Sequence, residues 1–131
     1  MVTTYGRWVH IGAAWLFVGG VVVQAFLAGA ALTELGGSGD FSAHRSLGYS
    51  VMGLLALSVL LMALVGRLPR RQVGLSVALL VLYFVQTALP NARGSAPLIA
   101  ALHPANAMLL LALGSLIGWR ARRIAATGRG G

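Results

Sequence analysis

Four long apolar stretches constrain what this chain can fold into more than any other feature. They span residues 8–31, 41–65, 73–89 and 97–119. Within them, Arg45 is the only side chain that carries a formal charge at neutral pH. Because a helix needs about 20 consecutive apolar residues to cross a bilayer, each stretch is predicted to form one membrane-spanning helix. Four such helices use nearly the whole chain, so we predict a single transmembrane domain, residues 1–131, ending in a basic cytoplasmic tail, residues 120–131.

The segments between these stretches are short and rich in residues that break helices. The first, residues 34–40, is rich in glycine, the second turns on Pro69, and the third ends with Pro97 at a predicted helix start. Short connections make consecutive helices antiparallel neighbours. The predicted fold class is therefore an all-α membrane protein, an antiparallel up-down-up-down bundle of four transmembrane helices. In such a bundle the second and fourth helices run parallel and lie diagonally.

The basic residues, all of them arginines, indicate which side of the membrane each end occupies. Eight lie on one side of a four-helix topology: Arg7, Arg67, Arg70, Arg71, Arg120, Arg122, Arg123 and Arg129. The other side has only Arg45 and Arg93, together with both acids, Glu34 and Asp40. Since the arginine-rich side of a membrane protein is the cytoplasmic one, both termini are predicted to be cytoplasmic. The expected location is the bacterial plasma membrane.

The net charge of +8 does not by itself indicate a nucleic-acid partner. The tail "RARRIAATGRGG" has no lysine and no interleaved aromatic residues, which a nucleic-acid-binding tail would carry. Arginines next to a bilayer are suited to anionic headgroups. We therefore predict membrane lipid as a partner, and no nucleic acid.

Two absences narrow the chemistry that the chain can perform. It has no cysteine, which excludes disulfide exchange, thiolate metal sites and covalent c-type haem attachment. Its two acids lie outside the apolar stretches, whereas a proton-coupled transporter needs a carboxylate inside the membrane. Redox chemistry by thiols is thus excluded, and proton-coupled transport is disfavoured.

Two histidines in the apolar stretches are candidates for ligands of a cofactor. His44 opens the second stretch and His103 lies near the start of the fourth, so both belong to the outer half of diagonal helices. Two inward-pointing imidazoles on diagonal helices can fill both axial positions of a haem iron. Counted along the helices, His103 lies about one turn, or ~5 Å, deeper than His44. This mismatch shrinks if the regular part of the fourth helix begins near Pro104.

Other residues are expected to complete this site. Gly48 and Ala107 each follow a histidine by four residues and would leave room for the porphyrin. The amides of Gln24, Gln86 and Asn106 would orient the imidazoles as acceptors, and Arg45 and Arg93 would pair with the propionates. The alternative is that the amides and histidines only join helix to helix, at ~0.6 kcal/mol each, and that the two arginines bind lipid phosphate.

The third histidine, His10, lies at the opposite end of the bundle, near the cytoplasmic interface. It is expected to reach water there, and no second histidine is placed to face it. Met62 lies at a comparable depth, so a His/Met haem is conceivable, although a methionine packed in the core is the simpler interpretation. His10 and Gln24 are two heptads apart on one helix face, which favours a packing role for both.

The segments "AHRSLG", residues 43–48, and "LHPANA", residues 102–107, carry a resemblance to a known group of proteins. The pattern resembles membrane b-type cytochromes, in particular one four-helix half of haem A synthase, and is also similar to small uncharacterised four-helix membrane proteins of actinobacteria. The resemblance implies haem held by His44 and His103 near one membrane face, with Gln24 as the polar residue of the first helix. Phe41 stands where the synthase has its catalytic glutamate, so the resemblance implies haem binding or electron transfer, and no catalytic residue is assigned.

The sequence therefore predicts an integral membrane protein that binds one non-covalent haem b by two histidines and transfers electrons as a cytochrome b does. A redox partner or a quinone would exchange electrons with it. The alternative is a cofactor-free structural or assembly subunit of a membrane complex, in which the histidines only pack. A homo-oligomer or a larger membrane complex is compatible with either hypothesis.

Overall fold

The computed structural model describes residues 1–127, and it contains helices, turns and no strand within that range. Six α-helices follow one another along the chain: α1 Val2–Ala31, α2 Ser42–Tyr49, α3 Val51–Val65, α4 Arg70–Ala88, α5 Pro97–Ala100 and α6 Leu102–Thr127. Two short 3-10 helices connect them, Thr33–Leu35 and Leu89–Gly94. Arg129, which belongs to the predicted tail, lies outside the described residues.

Four segments are long and apolar enough to cross a membrane, which confirms the prediction of four such helices. They are Val2–Ala31, Ser42–Val65, Arg70–Gly94 and Pro97–Thr127, with mean hydropathies of 1.6 to 2.2. The first, third and fourth extend beyond the predicted stretches at one or both ends, whereas the second, Ser42–Val65, begins one residue later than predicted. Two differences matter for the site. Residues 120–127, predicted as a tail, continue α6, and Gln72, predicted in a loop, lies in the first turn of α4.

The helices are arranged so that α1 and α4 occupy opposite corners. α1 packs against α3 and α6, and α4 packs against the same two helices. The second and fourth spans, which contain α3 and α6, therefore also lie at opposite corners. This places His44 and His103 on segments that meet across the centre of the bundle.

Buried residues recur at alternating three- and four-residue steps, as expected for helices that bury one stripe. On α4 this buried stripe is Gln72, Ser76, Leu79 and Tyr83, of which only Leu79 is an aliphatic residue. The exposed positions of α4 include Val77, Val81, Phe84 and Val85. A helix that turns polar groups inward and large apolar groups outward is suited to lipid surroundings.

The central core is apolar and separates two groups of polar side chains. Phe17, Val59, Leu79 and Ile117, one from each span, are fully buried there. Small residues let the helices approach closely around this core. A Cβ atom on Gly6 would lie 2.7 Å from the backbone nitrogen of Gly66, so α1 and the end of α3 touch through their backbones.

The end of α3 explains an unusual backbone conformation at Arg67. The amides of Leu68 and Arg67 donate to the carbonyls of Ala63 and Leu64, both at 3.0 Å, which closes the helix as a Schellman motif. The residue in the left-handed position is Arg67, with φ of 46°, where glycine is the usual choice. Gly66 precedes it, because a Cβ atom there would lie 3.0 Å from the backbone nitrogen of Arg7.

The second span is interrupted at Ser50, between α2 and α3. The Tyr83 hydroxyl donates to the carbonyls of Gly48 and Tyr49 there, at 3.1 and 3.3 Å. Gly53 makes room for the ring, since a Cβ atom at this position would lie 2.7 Å from the Tyr83 oxygen. Tyr83 thus stabilises the end of α2, the short helix that carries His44.

Candidate functional site

His44 and His103 come together as predicted. Their ring centroids lie 6.1 Å apart and their ring planes are inclined at 67°. The fourth span has a break just before His103, where α5 ends at Ala100 and α6 begins at Leu102. The regular helix therefore starts two residues before Pro104, close to the predicted position.

A main-chain carbonyl holds each of these imidazoles through its Nδ1 atom. Nδ1 of His44 lies 3.1 Å from the carbonyl oxygen of Gln24, and Nδ1 of His103 lies 3.0 Å from that of Gln86. Because a carbonyl only accepts hydrogen bonds, Nδ1 must carry the hydrogen in both rings. In the neutral imidazole with this tautomer Nε2 keeps its lone pair, which is the form of histidine that binds metals.

The amide side chains act differently from the prediction. The acceptors that orient the imidazoles are main-chain carbonyls, whereas the side-chain Nε2 of Gln86 lies 3.2 Å from His103 Nε2 and donates to it. The Gln86 Oε1 atom accepts from Asn106 Nδ2 at 2.8 Å, and Asn106 also donates to the Leu82 carbonyl at 2.9 Å. A chain of hydrogen bonds therefore runs from Leu82 through Asn106 and Gln86 to His103.

Gly48 was predicted to leave room for a porphyrin, and in this structure that room is filled by Gln24. A Cβ atom on Gly48 would lie 2.7 Å from Gln24 Nε2. The Oε1 atom of Gln24 is buried and has no hydrogen-bond partner within residues 1–127. Ala107, the matching residue one turn after His103, is partly buried in α6.

The two arginines predicted to bind propionates are both exposed, at the end of the bundle that holds the histidine pair. Arg93 is close enough to act electrostatically on His103. Arg45 instead interacts with Asp40. The pKa of the Asp40 carboxyl is lowered by hydrogen bonds from the backbone amide and the hydroxyl of Ser42, both at 2.8 Å, and to a smaller extent by Arg45. Arg45 therefore already has an anionic neighbour, and Arg93 is the better placed of the two.

His10 forms a second polar group, and the prediction that it reaches water is wrong. The residue is fully buried. Its Nδ1 donates to the Val59 carbonyl at 2.7 Å, and its Nε2 accepts from Gln72 Nε2 at 3.1 Å. Gln72 also donates to the Ile117 carbonyl at 2.9 Å. These bonds join all four spans, which agrees with the predicted packing role of His10.

Gln72, Ser76 and Tyr83 are the polar residues of the bundle that the sequence analysis missed. Gln72 is fully buried, and the Ser76 hydroxyl donates to its carbonyl at 3.0 Å. A signal for Gln72 exists in the sequence, because Gln72 and Gln86 are two heptads apart on α4, as His10 and Gln24 are on α1. Each of these helices thus contributes one polar residue to each of two layers.

The donor set at the histidine pair limits which metal species it suits. Within residues 1–127, no three or more side chains of histidine, cysteine, aspartate or glutamate are grouped to hold a metal ion. A bare zinc or similar ion needs three or four protein ligands. Haem needs only one or two protein ligands, because the macrocycle supplies the other nitrogens. Two histidines therefore fit haem better than a free ion.

Comparison with known proteins places the chain in a family without assigning a function. No curated protein and no solved structure matches it. One family model, described as a family of unknown function, matches residues 24–93, more than half of the chain. The matched range begins at Gln24, ends at Arg93 and includes His44 and Gln86, whereas His10 and His103 lie outside it. The chain belongs to this family of unknown function, DUF6220.

Proposed function

We propose that this protein is an integral membrane protein that binds one non-covalent haem b between His44 and His103 and transfers electrons. The observation that carries the proposal is the pairing of the two imidazoles, with centroids 6.1 Å apart and both Nδ1 atoms on carbonyls. A metal–imidazole bond is about 2 Å long and the ring centre lies about 1 Å behind the nitrogen, so two imidazoles on one iron have centres about 6 Å apart. The centroid distance fits shared ligation, and in the cofactor-free structure it is that of an edge-to-face ring pair.

His10 supplies the contrast within the same chain. Its ring has the same kinds of partner as His103, a carbonyl at Nδ1 and an amide at Nε2. His10 differs in being fully buried and, within residues 1–127, in having no second histidine ring beside it, which supports a packing role. The haem proposal therefore concerns only the layer that contains His44 and His103.

The residues around the pair have assigned roles in this proposal. His44 and His103 would hold the haem iron, and the carbonyls of Gln24 and Gln86 fix the orientation of the two rings. Haem bound there supplies a one-electron redox couple. Arg93, and to a smaller extent Arg45, hold the propionates by charge-assisted hydrogen bonds.

We further propose an up-down-up-down bundle in the bacterial plasma membrane, with both termini in the cytoplasm. The antiparallel order of α1 against the second span is supported by the pairing of Gly6 with Gly66 and of Gln24 with Gly48. The orientation is supported by the concentration of arginines at the other end from His44. The haem then lies near the outer surface, where its redox partner meets it.

A second function, a cofactor-free structural or assembly subunit, is favoured by a separate observation. Hydrogen bonds already join the polar groups of His103, Gln86 and Asn106 to one another without a ligand. Such a network rigidifies a bundle in the way that buried polar groups often do. Absorption spectroscopy of the purified protein separates the two functions, because only the first predicts a pigment.

A further inference from the structure

Gln86 contacts both ring nitrogens of His103. Only one of these two contacts is compatible with haem ligation. Its main-chain oxygen accepts from His103 Nδ1 at 3.0 Å, and this bond persists when a metal binds Nε2. Its side-chain amide nitrogen lies 3.2 Å from Nε2, the nitrogen that a haem iron would have to bind. The two groups of Gln86 thus have opposite effects on ligation.

We propose that the Gln86 side chain is a displaceable cap on His103, which occupies the coordination position and leaves it when haem binds. This inference rests on the haem site proposed above. The main chain of Gln86 is a positioning group that keeps Nε2 unprotonated, while its side chain competes with the iron. Only a ligand whose bond to His103 Nε2 is stronger than the hydrogen bond from the Gln86 amide can displace the cap.

Two neighbouring contacts make the exchange of Gln86 for iron practicable. Asn106 donates to both Gln86 Oε1 and the Leu82 carbonyl, so it keeps a partner when the Gln86 amide rotates away. Across the site, Gln24 Oε1 is buried without a partner in the described residues. This buried acceptor is therefore unsatisfied in the cofactor-free arrangement, as Gln72 Oε1 is in the other polar layer, and each such acceptor costs free energy.

The chain supplies a matched control for this proposal at its other polar layer. Gln72 donates to His10 Nε2 as Gln86 donates to His103 Nε2, at 3.1 and 3.2 Å. The experiment compares purified full-length wild type with Gln86→Met, Gln86→Glu and Gln72→Met. Haemin binding is measured by titration and stopped-flow absorbance, and the histidine nitrogens of the haem-free proteins are observed by ¹⁵N NMR.

Opposite changes are expected from the two substitutions at Gln86. Methionine keeps the volume but cannot donate, so haemin should bind about fivefold more tightly, the equivalent of one neutral hydrogen bond. Glutamate binds a protonated His103 through a charge-assisted bond, so haemin affinity should fall at neutral pH. Gln72→Met should leave haemin affinity and loading rate within twofold of wild type.

The NMR measurement tests the cap independently of haem. The His103 Nε2 resonance should shift in Gln86→Met while Nδ1 stays protonated, and an unchanged resonance overturns the proposal. Unchanged or weaker haemin binding by Gln86→Met, with the protein folded by circular dichroism, also overturns it. If Gln86→Met does not fold, Gln86→Glu decides the question, and a gain in affinity there contradicts the cap. A shifted resonance combined with no haemin binding by either wild type or Gln86→Met is a different outcome. It contradicts the proposed haem function, and with it the replacement of the Gln86 amide by haem iron on His103.

Discussion

The imidazoles of His44 and His103 lie with their centroids 6.1 Å apart, although the two residues belong to the second and fourth spans. Helices α1 and α4, at the other two corners of the bundle, supply the carbonyls that hold the two rings. All four spans therefore contribute to one pair of histidines. This relationship leads to predictions about the cofactor, and the second polar layer leads to predictions about stability.

Substitution of the paired histidines should remove the haem signature. His44→Ala and His103→Ala each leave the iron with one imidazole, so the low-spin spectrum of bis-histidine haem should be lost in both variants. His10→Ala serves as the control, because His10 lies in the other layer and faces Gln72. An unaltered low-spin spectrum in His103→Ala would refute the assignment of the ligands.

The hydrogen bonds of Gln72 should contribute to the stability of the bundle. Gln72→Leu removes the donor to both His10 Nε2 and the Ile117 carbonyl in a fully buried position. Leaving buried acceptors without a donor should lower the free energy of unfolding by about 1–3 kcal/mol. Thermal unfolding in detergent measures the loss, with the exposed Val77→Ala as the control. An unchanged melting temperature would argue against the second polar layer.

Arg67 should be a position where glycine is more stable than the natural residue. Its φ of 46° lies in the left-handed region that glycine adopts without a Cβ penalty. We expect Arg67→Gly to raise the free energy of unfolding by about 1 kcal/mol. Arg122→Gly, exposed in the interior of α6, should lower it by a similar amount. Equal destabilisation by both substitutions would contradict the assigned turn.

Neutralisation of the two outer arginines should have unequal effects. Arg93 acts electrostatically on His103, while Arg45 has the exposed Asp40 carboxylate as an electrostatic neighbour. Arg93→Gln should therefore speed haem loss and lower the reduction potential more than Arg45→Gln does. Haem transfer to a scavenging apoprotein and a redox titration measure the two effects. No change in either variant would indicate that both arginines only bind lipid phosphate.

The sequence predicts the helices and the histidine pair for reasons of hydropathy and topology. Apolar stretches of sufficient length reveal the four spans, and diagonal packing of the second and fourth spans brings His44 and His103 together. The burial of Gln72 is not predicted, because this residue follows Pro69, Arg70 and Arg71, a pattern typical of an exposed loop. Its burial depends on α4 beginning at Arg70, with Gln72 on the inner face.

Side-chain packing accounts for the predictions that differ from the structure. A glycine four residues after a histidine indicates space, but which side chain fills that space depends on the neighbouring helix. Gln24 fills the space at Gly48, and its length and flexibility do not appear in any periodicity. The burial of His10 also depends on a detail that the sequence pattern does not show. Helix α1 begins at Val2, which places His10 two helical turns inside.

The absorption spectrum of the full-length protein, purified in mild detergent, tests the central claim most directly. Haemin is added to one half of the preparation, and both halves are measured oxidised and reduced. We predict the spectrum of a low-spin b-type haem, at one haem per chain, and complete loss of the pigment into acidified acetone because no covalent bond holds it. A colourless preparation that takes up no haemin would contradict the account and favour the cofactor-free subunit.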